Sequence, residues 1–413
     1  MARLAVFCYP TDLVDNYVAR LLAAGLSNPN HRCEWKSFGP ARFALFTCGI
    51  PFVGLALRIL AGGLPFELRR THVSSVKRKS VAVAGTIGVL AATLVGVAAN
   101  PAAAATTDIK VGTVAINAAG VIPLAQDSGI FARNGLNVTE VVLFAAPPPS
   151  LAGLAAGAVQ FVYAPSIPIV NAYANAGMAL KVVAPADGYK PTDVAKAKKN
   201  AALAAKLDDT GVCVNPNSGI KSWKDLAGKT ISVPARSAQG EVTIAQAVKN
   251  AKADPKSINW VTLPFPQAVP GVVSGTTQAA FTVEPFTSAC VAAGMTNLGS
   301  PGIQFFDLEN AVGMWVTTAA YAAANPAVVL AFQKSISQVN KVASTKAGWD
   351  QVLQKSLQYT GVDLATARAA NPSYFPYTIL AADLKRPADK MLLLGYLTTP
   401  LNTSGLLMRQ YRP

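Results

Sequence analysis

Histidine is absent from most of this chain. The 413 residues include two histidines, His31 and His72, and both lie before position 106. A Ser-His-Asp or Cys-His nucleophile, a His-ligated metal ion and an imidazole general base each need a ring that residues 106–413 lack. These chemistries are therefore excluded from that part of the chain, and we expect neither an enzyme nor a metal site there.

Charge is also scarce. Charged residues make up 14% of the chain and hydrophobic residues 51%, a balance that excludes disorder as the main state. Residues 106–413 hold 25 basic and 17 acidic residues, a net charge of +8. The lysines stand singly or on one predicted helix at 193–207, without aromatic residues between them, so no nucleic-acid partner is expected. No P-loop, Rossmann fingerprint or CxxC pair occurs, and no cofactor is expected.

An export signal is indicated before residue 106. Lys77-Arg78-Lys79 precede the charge-free run Val81 to Ala99, and small residues follow at Ala102 to Ala105. This order predicts a signal peptide over 76–105, cleaved near Ala105, and a mature protein that is periplasmic, extracellular or in the cell envelope. A retained transmembrane anchor is the alternative, because the apolar run approaches the length that spans a bilayer.

Residues 1–75 precede the point where such a signal should begin. Translation from Val73 or Val76 would make them a mis-called start or an unstructured extension. The alternative is a second membrane element around Phe43 to Phe66, although Arg58 and two prolines interrupt it. We favour the first interpretation and leave these residues out of the fold prediction.

Two cysteines, Cys213 and Cys290, remain after residue 105. They are too few for a disulfide scaffold. The sequence leaves open whether they form one bridge or stay as two buried thiols.

Short apolar runs alternate with helical stretches after Ala105, which predicts α/β lobes with mostly parallel sheets. One series occupies 106–210 and a second occupies 211–312, and residues 313–413 are mainly helical from Pro326 onward, as a tail that would cap lobe one. The predicted strands are Ile109–Val114, Val138–Phe144, Gln160–Tyr163 and Leu180–Ala184 in the first series, and Val212–Val214, Thr230–Val233, Asn259–Leu263 and Ala279–Val283 in the second.

The two series share a local pattern. LAAGAVQF at 154–161 and VVSGTTQAAF at 272–281 both place Gln three residues after Gly, between an apolar helix and a strand. The repetition predicts two lobes of similar topology. Their strand carboxyl ends should face a shared crevice, where open α/β sheets bind ligands.

Two segments carry a family resemblance: SGIKSWKDLAGKTISVP at 218–234 and GIFARNGLNV at 129–138. With the surrounding order of elements, they resemble the extracytoplasmic solute-binding proteins of ABC importers, most closely the nitrate/sulfonate/taurine group. The resemblance implies a hinged two-lobe fold of the type II periplasmic binding kind, with a helical C-terminal tail on lobe one. It also implies hinge crossings near 211–215 and 313–317. Gln160 and Gln278 depart from the family, which usually has Asp there.

Candidate ligand contacts follow strand carboxyl ends, where helix N-termini present free N–H groups. Asn117 follows the first strand, Ala146 the second, Ser166 the third and Gln239 the matching strand of lobe two. Ser166 and, in the same lobe-two loop, Ser237 either cap a helix or bind an oxyanion.

Three charged candidates give opposing hints about the ligand. Arg236 could bind a sulfonate or carboxylate bidentately, or be an ordinary solvated arginine. Glu284 could offer a carboxylate to the cleft or cap a helix N-terminus, and Asp187 is a weaker candidate of the same kind. A compact ligand with an acidic group at one end and a donor at the other would satisfy both hints.

The resemblance implies a non-enzymatic, monomeric receptor for a small solute, such as a sulfonate, nitrate, an amino-acid-like or a pyrimidine-like compound. Its partners would be that solute and an ABC permease. An enzyme resembling pyrimidine-precursor synthases is one alternative, disfavoured because those depend on a histidine that residues 106–413 lack. A secreted binding module without a permease is the other.

Overall fold

The computed structural model describes residues 106–307 and 309–411, and the backbone of three earlier strands: β1 (Leu4–Val6), β2 (Cys33–Phe38) and β3 (Phe43–Cys48). The three strands form an antiparallel sheet of order β1-β3-β2. The predicted signal peptide at 76–105 and the rest of residues 1–75 lie outside the described residues, so both predictions stand as predictions.

The first lobe begins with four strands and the helices between them. A 3-10 turn at Asn117–Gly120 follows the first of these strands. In chain order the elements are β4 (Thr107–Val114), α1 (Val121–Asp127), α2 (Ile130–Arg133), β5 (Leu136–Phe144), α3 (Pro147–Ala155), β6 (Phe161–Pro165), α4 (Ser166–Asn175) and β7 (Leu180–Pro185).

Two short helices and the second lobe follow. The predicted helix at 193–207 is two helices, because Asn200 leaves the helical conformation and its side chain caps the second by accepting from the Leu203 N–H. The elements are α5 (Pro191–Ala197), α6 (Ala201–Leu207), β8 (Thr210–Val214), β9 (Thr230–Val233), α7 (Gln239–Asn250), β10 (Asn259–Thr262), α8 (Phe265–Val273), β11 (Ala279–Val283), α9 (Phe286–Ala292) and β12 (Thr296–Asn297).

A short helix, α10 (Pro301–Phe305), packs on α7 of lobe two. The chain then returns to the first lobe and becomes mainly helical, as the sequence predicts. The elements are β13 (Gly313–Thr318), α11 (Ala319–Ala324), α12 (Pro326–Ala343), α13 (Lys346–Thr360), α14 (Leu364–Ala369) and α15 (Ala382–Leu393).

The two large sheets have the same topology. Lobe one has the order β5-β4-β6-β13-β7 and lobe two the order β10-β9-β11-β8-β12. Three neighbouring strands in each are parallel, and the fourth and fifth positions pair antiparallel. The two-lobe α/β prediction is confirmed. Each sheet is mixed but mostly parallel: four strands run in one direction, and the fourth strand of the order, β13 or β8, arrives from the other lobe and runs against both neighbours.

Gln160 and Gln278, the glutamines of the repeated pattern, make equivalent hydrogen bonds in the two lobes. The Gln160 side chain accepts the Lys110 N–H at 2.7 Å, and the Gln278 side chain accepts the Thr230 N–H at 2.6 Å. The backbone N–H of each glutamine donates back to the same partner residue. Both therefore align the strands at the second and third positions of the sheet, β4 with β6 and β9 with β11, at the amino ends of β6 and β11 and away from the strand carboxyl ends.

Aromatic packing and one disulfide hold the lobes. In lobe one the rings of Phe161 and Phe332 stack with centroids 3.9 Å apart, which fixes α12 on the sheet. In lobe two Cys213 of β8 is bonded to Cys290 of α9, and both residues are fully buried. The open question about the cysteines is thus answered in favour of the bridge.

Two segments connect the lobes. One runs from the end of β7 to β8 and the other from β12 to β13, and the segments meet where Gly188 bridges Ala311. Residues 211–215 and 313–317, expected as crossings, belong almost entirely to β8 and β13, so the crossings precede both strands. In the described part of the chain, none of the helices combines the length and the apolar character needed to cross a membrane.

Candidate functional site

A cavity lies between the two lobes, at the carboxyl ends of their parallel strands. Val114 and Pro165 end β4 and β6 on one side, while Pro234 follows β9 and Val283 ends β11 on the other. The volume of the cavity is about 30 Å³. Its position is the one where open α/β sheets generally bind small molecules.

Asp187 is buried in the wall of this cavity and is 4% exposed. Its Oδ1 accepts from the Tyr163 hydroxyl at 3.3 Å and from the Gly313 N–H at 3.1 Å, whereas Oδ2 has no partner. Burial raises the pKa of this carboxyl to about 6, against the opposing effect of the two hydrogen bonds. A Cβ at position 313 would collide with Asp187 Oδ1, so glycine makes room for the carboxylate.

Asp208 and Asp209 stand together on the first crossing. Asp208 Oδ1 accepts from the Tyr189 hydroxyl at 2.6 Å and the Thr210 N–H at 2.9 Å, and Oδ2 accepts from the Ile303 N–H at 2.9 Å. Asp209 lines the cavity. Burial raises the pKa of Asp209 well above its usual range, and repulsion from Asp187, Asp208 and Glu284 adds to the rise.

These two aspartates were missed from the sequence, because they directly follow the segment 193–207, which was interpreted as a solvated helix. A signal was available: two adjacent acids stand directly before a strand that is buried throughout, β8. Such a position places at least one carboxylate at the boundary between the lobes.

The opposite wall of the cavity is apolar. Phe265 and Phe281 both line it, with ring centroids 6.4 Å apart. Val283 and Val312 extend the apolar surface. The cavity therefore joins an acidic end to an aromatic and aliphatic end.

Comparison with known proteins addresses both sequence and fold. Residues 203–344 match the model of the family described as NMT1/THI5 like. Comparison with curated proteins finds no match.

Solved structures resemble the whole two-lobe region. The alkanesulfonate-binding protein SsuA from Xanthomonas axonopodis pv. citri, bound to MOPS, matches with a TM-score of 0.59 at 18% identity, covering 74% of this chain and 100% of that one. The periplasmic nitrate-binding protein NrtA from Synechocystis PCC 6803 matches with a TM-score of 0.58 at 14% identity, over 73% and 84% of the chains. A Candida albicans gene product, CA3427, described as having the generic periplasmic binding protein fold, matches with a TM-score of 0.57 at 12% identity, over 74% and 97%.

This chain has the periplasmic binding protein fold. Within that fold, the structure puts two of the eight predicted contacts on the interlobe cavity: Asp187 and Gln239. Gln239 is the first residue of α7, and its Oε1 is buried without a partner.

Ala146 and Ser166 lie directly beside the cavity wall rather than in it. Ala146 precedes Pro147 and Ser166 follows Pro165, and both prolines line the cavity. The Ser166 N–H donates to the Val312 carbonyl at 2.8 Å, while its hydroxyl is buried without a partner. The hydroxyl therefore caps nothing in this structure.

Arg236 and Ser237 are committed to Glu241. The Arg236 guanidinium donates to both carboxylate oxygens of Glu241, at 2.6 and 3.3 Å, and the Ser237 N–H donates to one of them at 2.8 Å. The Tyr396 hydroxyl, from the C-terminal part of lobe one, donates to the other at 3.2 Å. Arg236 therefore lies beside a contact between the lobes and does not line the cavity.

Glu284 and Asn117 also join the lobes. The Glu284 carboxylate accepts from the Ser288 N–H at 3.0 Å, the Ser288 hydroxyl at 3.1 Å and the Asn371 N–H at 3.3 Å, and burial raises its pKa. It thus takes the helix-capping role, at the start of α9. The Asn117 N–H donates to the Glu284 carbonyl at 3.0 Å, and neither residue lines the cavity.

Across residues 106–307 and 309–411, acidic, cysteine and histidine side chains do not gather in any group of three or more that could hold a metal ion. The chemistry that the cavity offers is hydrogen bonding and electrostatic attraction from carboxylates, together with apolar contact. These interactions are the means by which a protein binds a small molecule.

Proposed function

We propose that this protein is an extracytoplasmic receptor that captures a small solute between its two lobes and delivers it to an ABC permease. The observation that carries the proposal is the cavity between the lobes, lined from both sides and containing a buried carboxylate oxygen without a partner. A cavity of this kind gains its ligand's polar contacts only when the lobes are together, so binding and closure are coupled.

The fold neighbours support this proposal. They include proteins described as binding alkanesulfonate and nitrate, and two of them are described as periplasmic. The same proposal includes export directed by the signal peptide expected at 76–105, a monomeric state and a permease partner. Asp187 and Gln239 are its proposed ligand contacts, because both line the cavity and both have a buried oxygen without a partner.

A thermal-shift screen tests the proposal. The purified chain is heated with sulfonates, nitrate, amino acids, pyrimidines, aromatic acids and amines at millimolar concentration. A ligand that binds only the native state raises the melting temperature by mass action, and about 2.7 kcal/mol is expected at one hundred times the dissociation constant. Small-angle X-ray scattering with any hit should then show a smaller radius of gyration.

Two results would count against a receptor. One is a screen in which no compound raises the melting temperature. The other is turnover of a hit, detected by mass spectrometry as a new product, which would favour an enzyme.

A further inference from the structure

The cavity between the lobes is acidic. Asp187 and Asp209 both line it, and lysine, arginine and histidine are absent from its lining. Arg236, the residue expected to meet an anion, donates instead to Glu241. A ligand that enters this space therefore meets carboxylates and no positively charged side chain.

Asp187, in the cavity lining, has an acceptor oxygen without a partner. One oxygen is used by the Tyr163 hydroxyl and the Gly313 N–H, whereas Oδ2 is buried and has no partner. A buried carboxylate oxygen without a donor is unfavourable, because it has lost its hydrogen bonds to water. A ligand N–H would remove that cost, and an anionic ligand would increase it.

The helix that begins at Pro147 is a poor anion site in this chain. The first three residues of α3 are Pro147-Pro148-Pro149, which have no N–H groups to donate. Two further backbone donors beside the cavity are engaged: the Glu241 carboxylate accepts the Ser237 N–H, and the Ser166 N–H donates to the Val312 carbonyl. The first turn of α7 keeps its N–H groups, so an anion that binds there is the alternative that the probes below test.

We propose that the solute is a small organic cation, a protonated amine with an apolar body. Its ammonium group sits between Asp187 and Asp209, and its apolar part packs against Phe265 and Phe281. This inference rests on the proposed receptor function and names the class of its ligand. An organic cation fits better than a metal ion, because the described residues hold no group of metal-ligating side chains and the opposite wall is aromatic.

Three probes that share one apolar chain and differ in the head group test the proposal: 1-aminohexane, hexan-1-ol and hexane-1-sulfonate. The full chain is titrated with each by calorimetry at pH 7.5. We expect 1-aminohexane to bind at least about tenfold more tightly than hexan-1-ol, and hexane-1-sulfonate to bind most weakly.

Two isosteric variants assign the site. Asp187→Asn and Asp209→Asn should each weaken 1-aminohexane binding by about tenfold or more, while leaving hexan-1-ol binding nearly unchanged. Asp389→Asn is the control, because Asp389 is exposed and pairs only with Lys385 on the surface of α15. Circular dichroism and the melting temperature of each unliganded variant check that it folds. If Asp187→Asn does not fold, Asp209→Asn still tests the site.

The outcomes separate this inference from the receptor function. Preferential binding of hexane-1-sulfonate, or of another anion from the screen, overturns the organic cation and leaves the receptor intact. Equal affinity of the three probes, or unchanged 1-aminohexane affinity in both aspartate variants, also overturns it. If divalent metal ions raise the melting temperature of the wild type but not that of Asp187→Asn, the ligand is a metal ion and the organic cation is overturned. Failure of every probe and every compound in the screen contradicts both proposals.

Discussion

Asp187 makes the protein's stability depend on pH in a direction opposite to that of an ordinary surface carboxylate. Its pKa is raised from 3.8 to about 6, because burial disfavours the charged form. Its stabilising contribution is therefore full below about pH 4 and is lost as the pH rises through 6. Asp350, whose pKa is lowered by the Arg368 side chain and then by Gln354, contributes in the opposite direction.

The Asp187→Asn variant should remove this component. The free energy of unfolding of the unliganded wild type should fall more between pH 4.5 and pH 7.5 than that of the variant. Denaturant unfolding at several pH values measures the difference, and equal pH profiles would contradict the assignment. The groups that face Asp187 are Tyr163 on its own lobe and Asp209 across the crossing, with Asp208 and Glu284 beyond Asp209.

Glu284 belongs to the contact between the lobes, and its substitution should act mainly on stability. The carboxylate accepts hydrogen bonds from Ser288 and from Asn371, and the residue is 4% exposed. In Glu284→Gln, a side-chain NH₂ group replaces a carboxylate oxygen that accepts a hydrogen bond, so two donors face each other. The unliganded protein should therefore lose about 1–3 kcal/mol of stability. Chemical denaturation measures this, with Glu140→Gln as an exposed control. Unchanged stability of Glu284→Gln would mean that its hydrogen bonds are not formed in solution.

At the scale of elements, the disulfide fixes α9 to β8. Cys213 and Cys290 are separated by 77 residues, and closing a loop of that length in the unfolded chain stabilises the native state by up to about 4 kcal/mol. A reductant should therefore lower the melting temperature of the wild type. The variant with both Cys213→Ala and Cys290→Ala should melt lower and should not respond to reductant. A wild type that is insensitive to reductant, with free Cys213 detected by thiol labelling, would contradict the bridge.

Which elements form was largely predictable, because apolar runs, glycines and prolines set their bounds locally. The LAAGAVQF and VVSGTTQAAF repeat correctly predicted lobes of one topology. The antiparallel entry of β13 was not predictable, since it depends on where the chain crosses between the lobes. The break at Asn200 was missed because alanine and lysine on both sides favour helix.

The site was predictable only in part, for the same reason. Asp187 stands at a strand end and could be found locally. Arg236 was considered as a ligand contact without its partner Glu241, which is only five residues further along the chain, so this pairing was open to local reasoning. The Tyr396 contact to Glu241 was not, because the two residues are 155 positions apart. Asp209 looked solvated because only the fold brings lobe two against it.

At the scale of the whole molecule, polar contacts beside the cavity join the lobes. The Tyr396 hydroxyl donates to Glu241 and the Asn171 side chain donates to the Ser237 carbonyl at 3.2 Å, each from lobe one to lobe two. Because a ligand in the cavity stabilises the same closed arrangement, loss of one such contact should weaken binding without touching the ligand.

Tyr396→Phe tests this coupling. It removes one hydroxyl and should weaken binding of the best screened ligand by about 0.5–1.5 kcal/mol in calorimetry. Tyr377→Phe, at an exposed position, is the control and should leave the affinity unchanged. Equal ligand affinities of Tyr396→Phe and the wild type would mean that closure of the lobes is not coupled to ligand binding.

The central claim is that a solute binds in the cavity between the lobes, and a cavity-blocking pair on one helix tests it most directly. Gln239 begins α7 and lines the cavity, whereas Gln246 lies two turns further along the same helix and does not. Calorimetry with the best ligand should show binding lost in Gln239→Trp and retained in Gln246→Trp, with both variants folded. Full-affinity binding to Gln239→Trp would contradict the account.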